Sequence, residues 1–220
     1  MGRLILITGG ARSGKSSFAE KLAAEMALAR DVAFSEDFAH EHAGPVRKSS
    51  CVDRVCSTSR EGRVTYIATC IPGDDEMLER VKNHKRRRPS HWNTVEEPLG
   101  LTGVLKKEGT CSQVVLVDCF GLYVTNLLLR QNEDMPINDR CQDVLGPVRE
   151  FARVARTIPA NVIVVSNETG MGLVPTYQLG RLFRDTLGLA NQILAEASDE
   201  VYFMVSGIPV EVKLKAANQN

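Results

Sequence analysis

The segment that most constrains the fold of this chain is a glycine-rich stretch between an apolar run and a helix-forming run. Residues 9–16 read Gly-Gly-Ala-Arg-Ser-Gly-Lys-Ser, which is the pattern G-x-x-x-x-G-K-S. Residues 3–8 before it are mostly apolar, and residues 16–29 after it are rich in Ala, Glu, Lys and Leu. A buried strand followed at once by a helix is the context in which this pattern, the P-loop, holds phosphate. A fortuitous glycine-rich turn is the alternative, which the flanking segments disfavour.

The residue types of the P-loop predict a triphosphate site that also holds Mg²⁺. Its glycines let the backbone fold N–H groups around an anion, the lysine neutralises the β- and γ-phosphate oxygens, and the serine hydroxyl ligates Mg²⁺. We therefore expect Lys15 to be catalytic and Ser16 to be a metal ligand. The predicted nucleotide-binding residues in this segment are Gly9, Gly10, Ala11, Arg12, Ser13, Gly14, Lys15 and Ser16.

A second Mg²⁺ ligand is predicted at the end of a later apolar run. Residues 113–118 read Gln-Val-Val-Leu-Val-Asp, a buried-strand pattern that ends in a carboxylate. In P-loop enzymes an aspartate of this kind helps to hold Mg²⁺. Asp118 is therefore predicted to be a metal ligand and a nucleotide contact. The alternative is a solvated aspartate at a strand end, which would be preferred in a chain without a P-loop.

The rest of the chain alternates between short apolar runs and longer helical patterns. This alternation predicts an α/β fold, a P-loop NTPase-like three-layer αβα arrangement with a mostly parallel central sheet. We expect a single domain over residues 1–220. Strands are predicted at residues 3–8, 64–69, 113–118, 161–166 and 200–205, a last extended piece at 210–214, and helices at 16–29, 74–85, 122–131, 138–157 and 176–198.

Residues 31–63 do not fit this alternation. They carry mixed charge, several serines and no sustained hydrophobic period, and so long a connection is unusual inside a compact domain. We interpret them as an insertion, mobile or weakly structured. A Zn²⁺ site built from His40, His42, Cys51 and Cys56 is the alternative, which the spacing of these residues disfavours.

Composition excludes several classes of protein. Lys plus Arg and Asp plus Glu both total 27, so the formal net charge is zero, which argues against binding to nucleic acid by bulk charge. No apolar run approaches the roughly 20 residues that span a bilayer, and the N-terminal segment does not resemble a secretory signal. We expect a cytoplasmic protein without a membrane span. The six cysteines form no C-x-x-C pair and are predicted to be free thiols.

A dense basic segment surrounds one histidine. In residues 80–88, six of the nine side chains are cationic and none is acidic. A neutral imidazole is a competent nucleophile toward phosphorus, and flanking cations would collect nucleotide phosphates and stabilise charge on their oxygens. We therefore predict His84 to be a catalytic nucleophile. A solvated helix end and a nuclear-localisation or nucleic-acid patch are the alternatives, and the balanced net charge weakens the second of them.

Several blocks of the sequence, taken in order, form a distinctive set: residues 8–16, 66–69, 74–77, 80–92, 117–119, 125–128, 167–175, 181–185 and 205–208. The P-loop block alone is generic, but the block at residues 80–92, which contains His84, and the Asn-Glu-x-Gly-Met-Gly block from residue 167 are specific. Together these blocks resemble one family, the bifunctional adenosylcobinamide kinase/adenosylcobinamide-phosphate guanylyltransferases of cobalamin biosynthesis. In this family the P-loop helix is usually joined to the next strand by a short connection, where this chain has residues 31–63.

The resemblance implies two reactions and a set of binding residues. A nucleoside triphosphate, ATP or GTP, phosphorylates adenosylcobinamide. GTP then transfers GMP to a histidine that matches His84, with release of pyrophosphate, and adenosylcobinamide phosphate takes up the GMP to give adenosylcobinamide-GDP. Members of the family form homotrimers. Beyond the P-loop, the guanine-nucleotide contacts implied by position are Thr69, Cys70, Ile71, Lys85, Arg86, Arg87, Arg88, Glu96 and Asp118.

Some alternatives stay open at this point. Glu97 is an equal candidate to Glu96 by charge alone. The block at residues 167–172 suits either backbone that approaches a ligand or a tight turn between strand and helix. For the function, the alternatives are a P-loop small-molecule kinase without nucleotidyl transfer and a non-catalytic nucleotide-binding interaction module. Mg²⁺, bound with the nucleotide, is the cofactor that we expect.

Overall fold

The computed structural model describes residues 1–37 and 64–213, with the side chains of all of these except 29–37, Arg80 and Arg87. In this part of the chain, the strands are β1 (Leu4–Gly9), β2 (Val64–Ala68), β3 (Asn93–Glu96), β4 (Val114–Asp118), β5 (Asn161–Val165), β6 (Glu200–Val205) and β7 (Ile208–Lys213). The helices are α1 (Lys15–Asp37), α2 (Asp75–Arg87), α3 (Leu101–Glu108), α4 (Phe120–Leu129), α5 (Ile137–Ala155) and α6 (Gln178–Ala197).

All described strands belong to one sheet, in the order β3-β2-β4-β5-β1-β6-β7. Neighbouring strands are parallel except β6 and β7, which pair antiparallel. β1 therefore lies inside the sheet between β5 and β6. Because parallel strands end at the same edge, the P-loop after β1 and Asp118 at the end of β4 share that edge, with β5 between them.

Helices cover both faces of the sheet. Successive residues of a strand point to opposite faces, and in β1 both sets are buried. Leu4 and Leu6 pack in one core with helices α3 to α6, whereas Ile5 and Ile7 pack in a second core with α1. A strand buried on both faces needs a continuous apolar run, which is what residues 4–7 supply. The predicted three-layer αβα fold with a mostly parallel central sheet is confirmed.

The boundaries of most predicted elements agree with the structure within a few residues, but two elements were not predicted. Strand β3 lies at the edge of the sheet, and three of its four residues are exposed. Helix α3 has eight residues, and its N-cap Gly100 makes no side-chain hydrogen bond. Neither element therefore carries the continuous apolar run or the long helical pattern from which the others were predicted.

The first helix is longer than its sequence pattern indicates. α1 extends to Asp37, so the end predicted at residue 29 is wrong, and residues 31–37 of the segment interpreted as an insertion are helical. The remainder of that segment, residues 38–63, lies outside the described part of the chain. It contains the four residues of the alternative Zn²⁺ site and two of the six cysteines, so these interpretations stay predictions.

Two expectations from composition can be compared with the described residues. The four cysteines in this part of the chain, Cys70, Cys111, Cys119 and Cys141, are free thiols as predicted. Among the helices within residues 1–37 and 64–213, none is long and apolar enough to cross a membrane.

Candidate active site

The P-loop folds around its lysine. Lys15 is 8% exposed, and its Nζ donates hydrogen bonds to the carbonyl oxygens of Gly9 at 3.0 Å and Gly10 at 2.6 Å. Gly9 has a φ of +148°, in a region that residues with a Cβ rarely adopt. A Cβ on Gly9 would also lie 2.7 Å from the carbonyl oxygen of Met204. Both conformation and space therefore require glycine at the start of this loop.

Lys15 and Asp118, which were predicted separately, interact electrostatically. Burial lowers the pKa of Lys15, and electrostatic interactions with the neighbouring Cys119 and Asp118 oppose this shift. Burial also raises the pKa of the Cys119 thiol to about 12, which keeps that thiol neutral at physiological pH. The P-loop lysine and the strand-end aspartate thus lie in one site, as expected for a phosphate and metal centre.

An unpartnered polar atom lies in the P-loop itself. Ser13 Oγ is buried and has no hydrogen-bond partner among the described residues. Because a buried hydroxyl without a partner costs free energy, its position in a loop of backbone N–H groups suits an anionic ligand such as phosphate.

Two neighbouring loops brace the P-loop. The backbone N–H of Gly207, in the β6–β7 turn, donates to the carbonyl oxygen of Ser13 at 3.0 Å. The backbone N–H of Glu168, after β5, donates to the carbonyl oxygen of Gly9 at 3.0 Å. The Glu168 carboxylate accepts a hydrogen bond from the backbone N–H of Gly170 at 2.7 Å. The block at residues 167–172 thus forms a turn that supports the P-loop, and its approach to a ligand stays a prediction.

Asp118 is held by a buried tyrosine that also contacts the basic segment. Tyr66 Oη donates a hydrogen bond to Asp118 Oδ2 at 2.7 Å. The guanidinium carbon of Arg88 lies 3.5 Å from the centroid of the Tyr66 ring, which is a cation–π contact. Arg88 Nε and Nη1 are buried and lack hydrogen-bond partners among the described residues. These two N–H groups suit an anionic ligand that would satisfy them.

The predicted nucleophile lies on the helix that ends at this arginine. Asp74 caps the start of α2, because its Oδ1 accepts a hydrogen bond from the backbone N–H of Met77 at 2.7 Å. His84 lies in the last turn and is half-buried, and Arg88 is the C-cap. Since His84 lies about one helical turn before Arg88, the histidine belongs to the part of α2 that the Tyr66 contact anchors.

The structure separates the two adjacent glutamates. Glu97 Oε1 accepts hydrogen bonds from the backbone N–H groups of Leu99 at 2.9 Å and Gly100 at 2.7 Å, so Glu97 fixes the turn before α3. Glu96 instead forms an ion pair with Lys85 of α2. These contacts favour Glu96 over Glu97 as the residue near the nucleotide, although its role as a contact stays a prediction.

The remaining predicted contacts differ in exposure. Thr69 is fully buried, and its hydroxyl donates to the carbonyl oxygen of Cys119 at 2.7 Å. Cys70 is half-buried, and burial raises the pKa of its thiol. The side chains of Ile71, Lys85 and Arg86 are exposed, Ser16 is half-buried, and the side chain of Arg87 is not among those described.

Comparison with known proteins decides the family. A family model described as "Cobinamide kinase / cobinamide phosphate guanyltransferase" matches residues 42–212. The bifunctional adenosylcobalamin biosynthesis protein CobP of Pseudomonas aeruginosa is 38% identical over 208 residues, which cover 94% of this chain and 96% of the relative. The chain belongs to this cobinamide kinase/guanyltransferase family. It is therefore an enzyme of the transferase class.

Further comparisons extend this finding. The bifunctional adenosylcobalamin biosynthesis protein CobU of Escherichia coli is 34% identical over 215 residues, 96% of this chain and 99% of that protein. The CobU protein of Salmonella typhimurium is 35% identical over 217 residues, with the same coverage of 96% and 99%. Among solved structures, an ATPase domain matches with a TM-score of 0.46 at 14% identity, over 98% of this chain and 78% of that one.

The donor set of this family member suits Mg²⁺ bound together with a nucleotide. Mg²⁺ prefers hard oxygen ligands, keeps several waters, and is held by one or two carboxylates plus substrate phosphates. Ser16 in the first turn of α1 and Asp118 at the end of β4 supply a hydroxyl and a carboxylate at the same sheet edge. Mg²⁺ at this edge would take its further oxygen ligands from the substrate phosphates and from water.

Two residues that shape this site were not predicted from the sequence. Tyr66 and Asn126 both stand in blocks that resemble the family, but no role was assigned to them. Asn126 Nδ2 donates to the carbonyl oxygens of Thr69 at 2.8 Å and Pro98 at 3.1 Å, and so ties together the loops before α2 and α3. A buried amide or phenol whose partner lies on another strand or loop has no local sequence signal.

Proposed function

We propose that this chain catalyses two successive transfers. It phosphorylates the hydroxyl group of adenosylcobinamide with ATP or GTP, and it then transfers GMP from GTP to adenosylcobinamide phosphate through GMP held on His84. One set of contacts supports the proposal most directly: Arg88, one turn after His84, stacks on Tyr66, whose hydroxyl bonds Asp118 beside Lys15. Helix α2, which carries His84 and the basic residues around it, and the P-loop therefore contribute to one site.

The guanylyl transfer is divided into two displacements at the same phosphorus atom. In the first, a ring nitrogen of His84 attacks the α-phosphorus of GTP, the bond to the bridging oxygen breaks, and pyrophosphate leaves. In the second, a phosphate oxygen of adenosylcobinamide phosphate attacks that phosphorus, the phosphorus–nitrogen bond breaks, and the imidazole is regenerated. Covalent catalysis of this kind replaces one difficult step by two easier ones.

The residues around the nucleotide stabilise the charge that develops on the leaving group. Lys15 and the backbone N–H groups of the P-loop hold the β- and γ-phosphates, and Arg88 offers its two unpartnered N–H groups to phosphate oxygens. Asp118, oriented by Tyr66, and Ser16 would hold Mg²⁺. When bound, Mg²⁺ supplies positive charge to the phosphate oxygens. In the kinase step, the same P-loop would hold the γ-phosphate that the substrate hydroxyl attacks.

The same family resemblance also implies the localisation, the oligomeric state and the binding partners of the enzyme. We expect a cytoplasmic homotrimer whose partners are GTP, ATP, adenosylcobinamide and its phosphate, without nucleic acid. Sedimentation analysis of the purified protein tests the oligomeric state. A monomer or dimer at micromolar concentration would contradict the trimer without affecting the proposed chemistry.

The covalent intermediate can be detected directly. Incubation with GTP labelled at the α-phosphate is expected to label the protein, and the label should be acid-labile and sensitive to hydroxylamine, as a phosphoramidate is. GTP labelled at the γ-phosphate should leave the protein unlabelled, because that phosphate departs with pyrophosphate.

Two histidine variants make this experiment specific. His84→Ala should abolish the label. His91→Ala removes an exposed imidazole from the turn after α2 and should leave the label unchanged. Label that survives in His84→Ala would refute the assignment. Phosphorylation of adenosylcobinamide without any protein label would instead indicate a kinase that lacks nucleotidyl transfer.

A further inference from the structure

Tyr66 lies where two oppositely charged parts of the site meet. It stands in the middle of β2 and is 1% exposed. Its hydroxyl donates to Asp118 Oδ2 at 2.7 Å, and its ring carries the guanidinium carbon of Arg88 at 3.5 Å. Asp118 ends β4, and Arg88 is the C-cap of α2, the helix that carries His84. One buried side chain therefore contacts both.

The position of Tyr66 is fixed by the sheet rather than by the site. β2 lies between β3 and β4, where Tyr66 pairs with Thr94 on one side and Leu116 on the other. The residue is also part of the core on the α1 face of the sheet. Because both neighbouring strands hold its backbone, the ring and the hydroxyl have little freedom to move when a ligand binds.

The hydroxyl of Tyr66 is a hydrogen-bond donor to the proposed metal ligand. It donates its hydrogen to Oδ2 of Asp118 at 2.7 Å, from a side chain that the core holds in place. A hydrogen bond of this kind orients a carboxylate that ligates a metal ion.

We infer that Tyr66 is a positioning residue that couples the two halves of the nucleotide site. Its hydroxyl orients the Asp118 carboxylate toward Mg²⁺ and the nucleotide, and its ring forms the platform on which Arg88 presents two unpartnered N–H groups to phosphate. This inference rests on the proposed function in one respect, since it takes Asp118 and Arg88 to be nucleotide-site residues. It does not depend on the covalent step at His84.

Tyr66→Phe separates the two roles, because it removes the hydroxyl and keeps the ring. The measurement is equilibrium binding of GTP by calorimetry over a series of Mg²⁺ concentrations and in the presence of EDTA. The Mg²⁺ concentration at half-maximal enhancement of GTP binding is expected to rise roughly ten- to a hundredfold, the usual effect of losing a partner of a metal ligand. GTP affinity in EDTA should stay within about twofold of wild type, because the Arg88 contact with the ring is retained.

A matched control is available elsewhere in the sheet. Tyr202 Oη donates to Glu200 Oε2 at 2.9 Å, which is also a phenol–carboxylate hydrogen bond, but it lies on β6 and contacts neither Asp118 nor Arg88 in the structure. Tyr202→Phe should therefore leave the Mg²⁺ dependence of GTP binding unchanged. An equal shift in Tyr66→Phe and Tyr202→Phe would overturn the inference, because it would show a general effect of losing such a bond.

A double-mutant cycle tests whether Tyr66 acts through Asp118. In the Asp118→Ala background, Tyr66→Phe should cause no further change in the Mg²⁺ dependence. Additive effects would overturn the inference. A Tyr66→Phe protein with a lower unfolding midpoint and an unchanged Mg²⁺ dependence would also overturn the inference, because the hydroxyl would then be only structural. A loss of GTP affinity in EDTA would overturn it as well. All of these readouts are binding measurements, so absence of protein labelling at His84 would refute the proposed function and leave this result standing.

Discussion

Adding a methyl group at Gly9 is expected to destabilise the folded chain even without nucleotide. Gly9 has a φ of +148°, and a Cβ there would lie 2.7 Å from the carbonyl oxygen of Met204 and 2.9 Å from Ser13 Oγ. Met204 belongs to β6, which pairs with β1, so its carbonyl oxygen cannot move away without disturbing the sheet. Gly9→Ala therefore combines backbone strain with a steric clash.

The size of the effect follows from these two terms. A residue held in a sparsely populated backbone region costs about 1–3 kcal/mol, and overpacking in a well-packed interior costs about 1–3 kcal/mol more. The free energy of unfolding of Gly9→Ala should therefore fall by roughly 2–6 kcal/mol, a large part of the total of about 5–15 kcal/mol that native proteins have. For a chain of this size the melting temperature should fall by roughly 4–24 °C.

The next residue supplies the control. A Cβ on Gly10 would have no atom within 4 Å outside its own neighbours, and its φ is not in the left-handed range. Gly10→Ala should change the free energy of unfolding by no more than about 1 kcal/mol. Urea unfolding followed by circular dichroism, without nucleotide, gives both values. If the two variants unfold at the same urea concentration, the steric and conformational reasoning about Gly9 is wrong.

Three further predictions follow from contacts already described or from the core. Phe151→Ala, at a fully buried core position, should lower the free energy of unfolding in urea by about 3–5 kcal/mol. Leu129→Ala, at a position that is 63% exposed, should lower it by less than about 0.5 kcal/mol. Asn126→Ala removes two hydrogen bonds to backbone carbonyls and should cost about 1–3 kcal/mol, with weaker GTP binding in calorimetry. In the unfolded chain a tyrosine loses its phenolic proton above the ordinary pKa of about 10. In the folded chain burial raises the pKa of Tyr66, so the phenol keeps its proton there. The free energy of unfolding therefore falls as pH rises, by up to about 1.4 kcal/mol per pH unit. Between pH 8 and pH 11, the free energy of unfolding measured in urea should fall less steeply in Tyr66→Phe than in wild type. Equal slopes in the two proteins would contradict this.

The fold was predictable because its strands carry a strong local signal. Residues 4–7 are buried on both faces of the sheet, and a strand in that position must be apolar throughout. The P-loop then fixes the edge at which a phosphate site is expected, which is why Lys15 and Asp118 were predicted separately and are found together. Strand β3 has no such signal, since it lies at the sheet edge with most of its side chains exposed.

The contacts that organise the site were not predictable, because they depend on strand order. The Tyr66–Asp118 bond joins residues 52 positions apart and exists because β2 pairs with β4 rather than with β1. The Asn126–Thr69 bond joins residues 57 positions apart for a similar reason. Burial and periodicity show that a strand or a helix forms, but neither shows which strand becomes its neighbour.

The central place of β1 in the sheet has a consequence for the synthesis of the protein. Arg3, just before β1, hydrogen-bonds Asn161 and Glu200, which lie 158 and 197 positions later in the chain. At a translation rate of about 5–20 residues per second, β1 leaves the ribosome roughly 10–40 s before β6 can pair with it. During that interval the nascent chain exposes an apolar strand without its partners, which is a feature of aggregation-prone folding intermediates. The P-loop is thus translated early but reaches its folded form late, when the β6–β7 turn that bonds Ser13 has emerged.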